Sequence, residues 1–305
     1  MLLFLIKRLL LALPTFFAVT FLTFALIHFV PGGPFDGERE IPPEIRFRLN
    51  VCYGLDRPLG EQYCRYIGNV LRGDFGPSYK YSNWDVADLV KSKALVSFEL
   101  GLYGMLFAFA VGVSMGVICV RLQGTRWDFF LSFLSTLGIC LPAFVVGPLL
   151  IYVFGVGLRW VNVACWEVWS DKILPTLTIG ILYASYISRL AKRGLCEVLR
   201  KPYIVAARAR GVSEGRIFFV HALKNGILPV VAYMGPAFAG IIGGAIVTET
   251  IFQIPGLGRL LVQAISNRDD TLILGIVNFY ALAVIICNAL TDCVQAWLNP
   301  RIRLQ

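Results

Sequence analysis

Charge is what this sequence has least of. Only 15% of its 305 residues are Asp, Glu, Lys or Arg, against 57% hydrophobic, where a soluble domain of this length carries nearer a quarter. Histidine is almost absent, with two in the chain, and the eight cysteines show no CxxC spacing. Neither residue type makes a metal-binding pattern, and no cofactor is implied. No Gly-x-x-x-x-Gly-Lys-Ser/Thr phosphate loop occurs, which excludes nucleotide binding of that kind by this chain. There is no internal repeat and no low-complexity linker.

What the chain has instead is apolar length. Six stretches carry no charge: Leu9–Val30, Leu100–Val120, Phe129–Leu158, Ile173–Ser188, Ile227–Thr248 and Thr271–Thr291. Crossing a hydrocarbon core of ~30 Å takes about 20 helical residues at ~1.5 Å each. Five stretches meet that length. The fourth has 16 residues and spans only if Lys172 and Arg189 reach out to the two surfaces. The runs are continuous, not alternating, which favours helices over a barrel. The first is too long for a signal peptide, and "HFVPGGPF" offers no small-x-small cleavage site, so it reads as a retained anchor. The expected fold class is an all-α integral membrane protein with six transmembrane helices.

The net charge of +9 raises the question of nucleic acid, but its placement points to a bilayer. Lys7, Arg8, Arg121, Arg126, nine basic residues from Arg189 to Lys224, and Arg301 and Arg303 all fall on one side, 15 in total. The short loops opposite hold four, Arg159, Lys172, Arg259 and Arg268. The segment 31–96 is left out, because loops over ~60 residues translocate regardless of charge. The expectation is a multi-pass protein of the cytoplasmic (inner) membrane with both termini in the cytoplasm and no nucleic-acid partner.

The chain then divides into 1–30 with the first span, 31–96 outside, and 97–305 as a five-span core with a long inner loop over 189–228. In the outer segment Asp56-Arg57-Pro58 makes a turn, and Tyr63, Ile67, Val70 and Leu71 line one face of an amphipathic helix. "NWDVADLV" reads as a second short helix. About 66 residues make only a marginal core alone, so a cap packed on the spans is expected. Cys52, Cys64 and Cys165 face outward, where a disulfide stays open; Cys119, Cys140 and Cys287 read as small packing residues.

In the inner loop, Pro202 suits the first turn of a helix, "PYIVAARAR", which Gly211 ends in the left-handed conformation. Ser213 is placed to cap the next helix, "EGRIFFVHALKN". The plain alternative is a solvated loop obeying the charge rule, but a defined helix–glycine–helix unit is more than that rule requires and points to a docking surface.

"AARARGVSEGRIFFVHALKNGILPVV" resembles the cytoplasmic coupling loop of ABC-importer permeases, whose pattern is roughly Glu-Ala-Ala, three residues, Gly, nine residues, Ile-x-Leu-Pro. Ala206, Ala207 and Gly211 match; Val205 stands in the Glu position, and only Leu223 matches the closing element. These departures resemble the oligopeptide/dipeptide branch. So do "IKRLLLALPTFFAVTFLTFALIHFVPGGP", "YGLDRPLGEQYCRYIGNVLRGDFGPS", "GICLPAFVVGPLLIYVF", "ETIFQIPGLGRLLVQAISNRDD" and "NPRIR", so the likeness runs along nearly the whole chain, to the B-type subunit with a long outer segment.

The resemblance implies a type I ABC-importer permease fold, a second homologous permease, two cytoplasmic ABC ATPases, an external solute-binding protein and a peptide substrate. Tyr203, Ala206, Ala207, Arg208, Arg210 and Gly211 would form the ATPase-coupling element. The small alanines would let it seat closely, Arg208 and Arg210 would meet acidic residues of the ATPase, and Gly211 would make a corner where a side chain clashes.

Gly240 and Gly244, in a run of small residues on span 5, are candidates for the translocation path, against plain packing within the subunit. Glu249, at the outer end of that span, is a gate or peptide-terminus candidate, against a carboxylate that faces water. Pro142 reads as a kink and Asp292 as interfacial. Within the same class, nickel or another small solute is the alternative cargo. A secondary transporter needs mid-membrane ionisable groups, which the uncharged runs lack apart from His28. An intramembrane enzyme would need a His-Glu-x-x-His pair, facing aspartates or a nucleophile elbow, none of which is expected.

Overall fold

The computed structural model describes residues 2–30, 54, 56–81 and 84–298. The Pro31-Gly32 exit, Cys52 and the Asn299–Arg303 motif lie outside them. Regular structure among the described residues is helical, apart from one bridge pairing Pro77 with Asp85. The elements are α1 (Leu2–Phe29), α2 (Leu59–Val70), α3 (Val86–Arg121), α4 (Arg126–Cys140), α5 (Ala143–Leu150, widening into a π segment Ile151–Gly157), α6 (Trp169–Leu199) and α7 (Pro202–Ala209). Then follow α8 (Glu214–Arg216, continuing as a π segment Ile217–Ala222 and Leu223–Gly226), α9 (Leu228–Gly244), α10 (Ile246–Ile251), α11 (Leu257–Ser266) and α12 (Asp270–Leu298).

Two sequence expectations change, and a third, the kink at Pro142, is borne out as a full break. "NWDVADLV" is not a separate helix but the entry to α3, which runs 36 residues. No glycine or proline interrupts residues 86–100, and Val86, Leu89 and Val90 bury against Leu257, Leu260, Leu272 and Ile276 of α11 and α12. The fourth span is a 31-residue helix, because Asp171 accepts from the Glu167 and Val168 N–H groups at its start and the Arg, Lys and Glu residues beyond Ser188 are good helix formers. Lys172 does not reach for a surface: it bonds Glu99 of α3 at 2.6 Å. The third stretch is not one rod. It breaks at Leu141-Pro142 with a bend of 105°, since Pro142 has no N–H to donate and holds Leu141 extended (ψ 114).

The α3–α6 pair decides how many times the chain crosses. Gly104, Gly112 and Gly116 of α3 meet Ile179, Ile187 and Ala191 of α6 in the same order, so the two helices run parallel. The chain must therefore return between them, and α4 with α5 is that return, one broken span. α4 and α5 track α6 in the opposite sense, with Ser132 beside Lys192, Gly138 beside Ser185 and Gly147 beside Thr178. Five unbroken apolar helices plus this pair make six crossings.

Lipid supplies no hydrophobic force between spans, so close packing must hold them. A Cβ at Gly112 would lie 2.6 Å from the Ala184 carbonyl oxygen, and one at Gly116 would lie 2.7 Å from Ala191 Cβ. The pentapeptides Gly112–Gly116 and Gly211–Gly215 both have Gly-x-Ser-x-Gly spacing, against the expectation; the second is the helix-to-helix corner after α7, and the first is different. It sits inside unbroken α3 as a packing seam and makes no strand-to-helix elbow. Gly112→Leu would force α3 and α6 apart. Folded chain recovered from the membrane is expected to fall at least about tenfold, overpacking a seam of this kind costing 1–3 kcal/mol or more. Gel filtration in mild detergent reads this, and a parental yield refutes it.

At the end of the bundle away from α7, α2 lies across α1 and α12. Tyr63 packs edge-on to Phe21 and against Phe24. Asn278 of α12 accepts from Thr20 (2.8 Å) and donates to Tyr66 (2.5 Å). Leu71 stays exposed, outside the face that Tyr63 and Ile67 share. The main core lies between α3, α6 and α9.

Candidate functional site

At the end of the bundle where α3 and α6 finish, α7 has one buried anchor, and Asn225 of α8 donates to its Tyr203 hydroxyl at 3.1 Å. In α7 only Ile204 is fully buried. Tyr203, Ala206, Arg208 and Arg210 are exposed, and Ala207 is half-buried. Pro202 starts the helix, as its missing N–H predicts. The helix ends at Gly211, with φ +78. Gly211 N–H donates to Arg208 (2.9 Å) and Val212 N–H to Ala207 (3.2 Å), the paired bonds of a Schellman ending. The expectation of a side-chain clash here is wrong: a Cβ at Gly211 would meet nothing within 4 Å. The backbone angle, not room, requires glycine.

Arg208 has a partner within this chain. It grips Glu214 across the corner, Nε to Oε1 at 2.6 Å and Nη2 to Oε2 at 3.1 Å. Arg210 makes no ion pair among the described residues. Ser213 holds the N-cap position but its side chain makes no cap bond. Arg208's hydrogen bond holds the Glu214 carboxyl below the usual range. A carboxylate whose pKa is lowered by folding contributes above its unfolded pKa and stops contributing as pH falls through the lowered one. The clamp is therefore expected to hold at every pH above ordinary carboxylate titration. Protection of the Gly211 and Val212 amides, taken relative to their intrinsic exchange rates, should fall only in acid, and Glu214→Gln should lower it at all pH.

Beyond the corner, α8 sits on the ends of two spans. Phe218 and Ala222 bury with Val120 of α3 and Leu195 and Val198 of α6. The Arg121 guanidinium lies 4.8 Å from the Phe218 ring and 4.9 Å from Phe219. Gly194 of α6 and Gly226 meet backbone to backbone. Packed contacts of α8 thus lie between α7 and the ends of α3 and α6. No local pattern announced Arg121, nor Arg189 to Leu199 as helix in place of loop.

The outer candidates separate. Gly240 and Gly244 lie exposed on one face of α9 with Pro236. A Cβ at Gly244 would meet nothing among the described residues, and one at Gly240 only the Tyr183 hydroxyl at 3.1 Å, so Gly244 packs against none of them. Glu249 points the other way and does not face water: it is fully buried. Ser97 of α3 donates to Oε1 at 2.6 Å and Arg259 N–H to Oε2 at 3.0 Å, while Leu257 N–H donates to Ser97 Oγ at 2.8 Å. Together they satisfy the first turn of α11, where a carboxylate also meets the helix dipole. Gly256 is needed because any side chain there would strike this carboxylate. Asp269 does the same for α12, accepting from Leu272 N–H, Thr271, Ser78 and two outer-segment amides.

A family model described as "Binding-protein-dependent transport system inner membrane component" matches residues 108–304. The oligopeptide transport system permease protein OppB of Haemophilus influenzae is 40% identical over 305 residues, covering 99% of this chain and 100% of that protein. The dipeptide transport system permease protein DppB of Bacillus subtilis is 36% identical over 301 residues, covering 99% and 98%. Among solved structures, an inward-facing MetNI methionine ABC transporter superposes with TM-score 0.59 at 14% identity, over 69% of this chain and 96% of that one. An amino acid ABC transporter solved with histidines gives 0.53 at 16%, over 68% and 93%. At such identities these two speak for the fold alone.

Proposed function

This chain belongs to the family of binding-protein-dependent transport system inner membrane components, and from that premise we propose that it is the permease subunit of an ATP-driven importer of oligopeptides or dipeptides. It is a transport subunit, not an enzyme. Peptide is proposed as the cargo because the full-length relatives are named for it. The proposed complex adds a second, homologous permease, two cytoplasmic ATPases and an external solute-binding protein. Both termini are assigned to the cytoplasm on the 15 to four asymmetry of basic residues.

The observation that carries the coupling role is the α7 helix with one buried anchor, Ile204, and a rigid left-handed corner behind it. Closure of the ATPase pair would move α7, and α8 would pass that motion to α3 and α6. Tyr203, Ala206, Ala207 and Arg210 supply the face for the ATPase, while Arg208 stiffens the corner through Glu214. Gly240 and Gly244 supply a small, uncovered face on α9 for the path or the second permease. Glu249 enters this reading as the residue that seats α11 over the outer end of α9 and α10.

Uptake of labelled peptides of two to five residues, in cells with and without this chain and with nickel as control, tests the cargo. Loss of peptide uptake supports the proposal, and the length profile separates dipeptide from oligopeptide. Lost nickel uptake with unchanged peptide uptake overturns it in favour of the metal.

A further inference from the structure

A second polar site lies at the same membrane end as the coupling loop but apart from it. It is a cleft of about 360 Å3 between α4 and α6, floored by α3. Its lining brings together Ser132 and Ser135 of α4 with Ser188, Arg189, Lys192 and Arg193 of α6. Ser135 and Ser188 are buried and bonded to each other at 3.3 Å. Lys192 is neutralised by Asp128 (2.5 Å) and also bonds Ser132 (2.9 Å). Two guanidinium charges remain. Arg189 spends one nitrogen on Thr136 at 2.6 Å, and Arg193 is exposed with no ion pair among the described residues. The pocket thus carries about two uncompensated positive charges, backed by hydroxyls, at a depth where an apolar helix meets water.

The positive-inside rule accounts for basic residues at this end, but not for their gathering with serines in a concave cleft. The surface beside it settles the chemistry of the occupant. On α4, Trp127, Phe129, Phe130, Phe133 and Leu137 are all exposed. Phe129 and Phe133 fall beside Thr136, which Arg189 bonds, and so border the cleft as an apolar flank, while Phe130 and Leu137 turn to the far side of the helix. A free anion has no use for such a flank. An amphiphile with an anionic head and acyl chains fits both parts. We propose that the α4–α6 cleft binds the phosphate headgroup of an anionic phospholipid from the adjoining leaflet, Arg189 and Arg193 holding the phosphate and the aromatic face of α4 holding the chains. Bound there, the lipid would brace the broken span α4–α5 against α6, on the side away from the coupling corner.

The test is lipid retention. The full chain would be extracted from its native membrane in a lipid-preserving polymer, transferred to mixed phosphatidylglycerol and phosphatidylcholine, and examined by native mass spectrometry. Retained phosphatidylglycerol should exceed phosphatidylcholine in the parent, and Arg189→Gln with Arg193→Gln should lower that enrichment at least about fivefold. Arg200→Gln, which removes a charge at the same end outside the cleft, should leave it unchanged. Each single variant is measured too, with its unfolding temperature, so that misfolding is recognised. Equal retention of both lipids by the parent, or unchanged enrichment in the folded double variant, overturns the proposal. Displacement by millimolar inorganic phosphate would assign the cleft to a soluble anion and overturn it as well.

Discussion

Gly211→Val is expected to stop energised uptake while the chain stays folded in the membrane. The residue sits at φ +78, where an L side chain costs about 1–2 kcal/mol and a β-branched one more. The two bonds that close the Schellman ending, to Ala207 and Arg208, exist only in that conformation. Losing them swings α7 on its buried anchor, Ile204, and separates Arg208 from Glu214. Uptake per folded chain should fall at least about tenfold, roughly the Boltzmann factor of 1.4 kcal/mol. Gly211→Asn should keep most of the activity, because Asn tolerates the left-handed region. The pair isolates backbone conformation from bulk, since a Cβ there meets nothing within 4 Å. Transport by the valine variant at the parental rate, at equal membrane abundance, would show that the corner does not transmit force.

Glu249→Ala is expected to be the most destabilising single truncation at the outer end. It strips acceptors from Ser97 and from the first turn of α11, all buried, and opens a void beside Gly256. Each buried polar group left unsatisfied costs about 1–3 kcal/mol, so the sum is on the order of 3 kcal/mol or more. Ser97→Ala should cost about 1 kcal/mol less than that, because the Arg259 bond survives. Thermal unfolding of the purified chain, with protease sensitivity of residues 252–269, reads both. If Glu249→Ala unfolds like the parent yet abolishes solute uptake, the carboxylate is a solute ligand and its role in seating α11 is wrong.

Glu249 also shows where reading the chain reached its limit. Its position at the end of a span was plain, but whether it met water, peptide or protein depended on Ser97, 152 positions earlier. Lys172 is a similar case. It was expected to reach for a membrane surface, yet it pairs with Glu99 and lies within 5.2 Å of the Trp166 ring and 5.3 Å of the Trp169 ring. Neither partner is signalled by local spacing. Pro142 was legible as a local fault, because proline acts on its own neighbours. The size of the bend, 105°, was not, because packing along α6 sets the two half-helices apart.

What the chain determined unaided were the properties that depend on neighbours in sequence. Runs without charge set the spans, basic residues set the expected orientation, Pro202 and Gly211 set the start and end of α7, and motif order along the chain pointed to the family. Each follows from solvation or backbone geometry within a few residues. Only the tertiary structure decided that α3 and α6 run parallel through glycine seams, that the third stretch is one broken crossing, that Arg208 clamps Glu214, and that Glu249 and Asp269 cap helices inside the protein. Those outcomes depend on which distant surfaces meet, and in a bilayer, where every apolar face is equally at home in lipid, hydrophobic pattern alone does not choose among them.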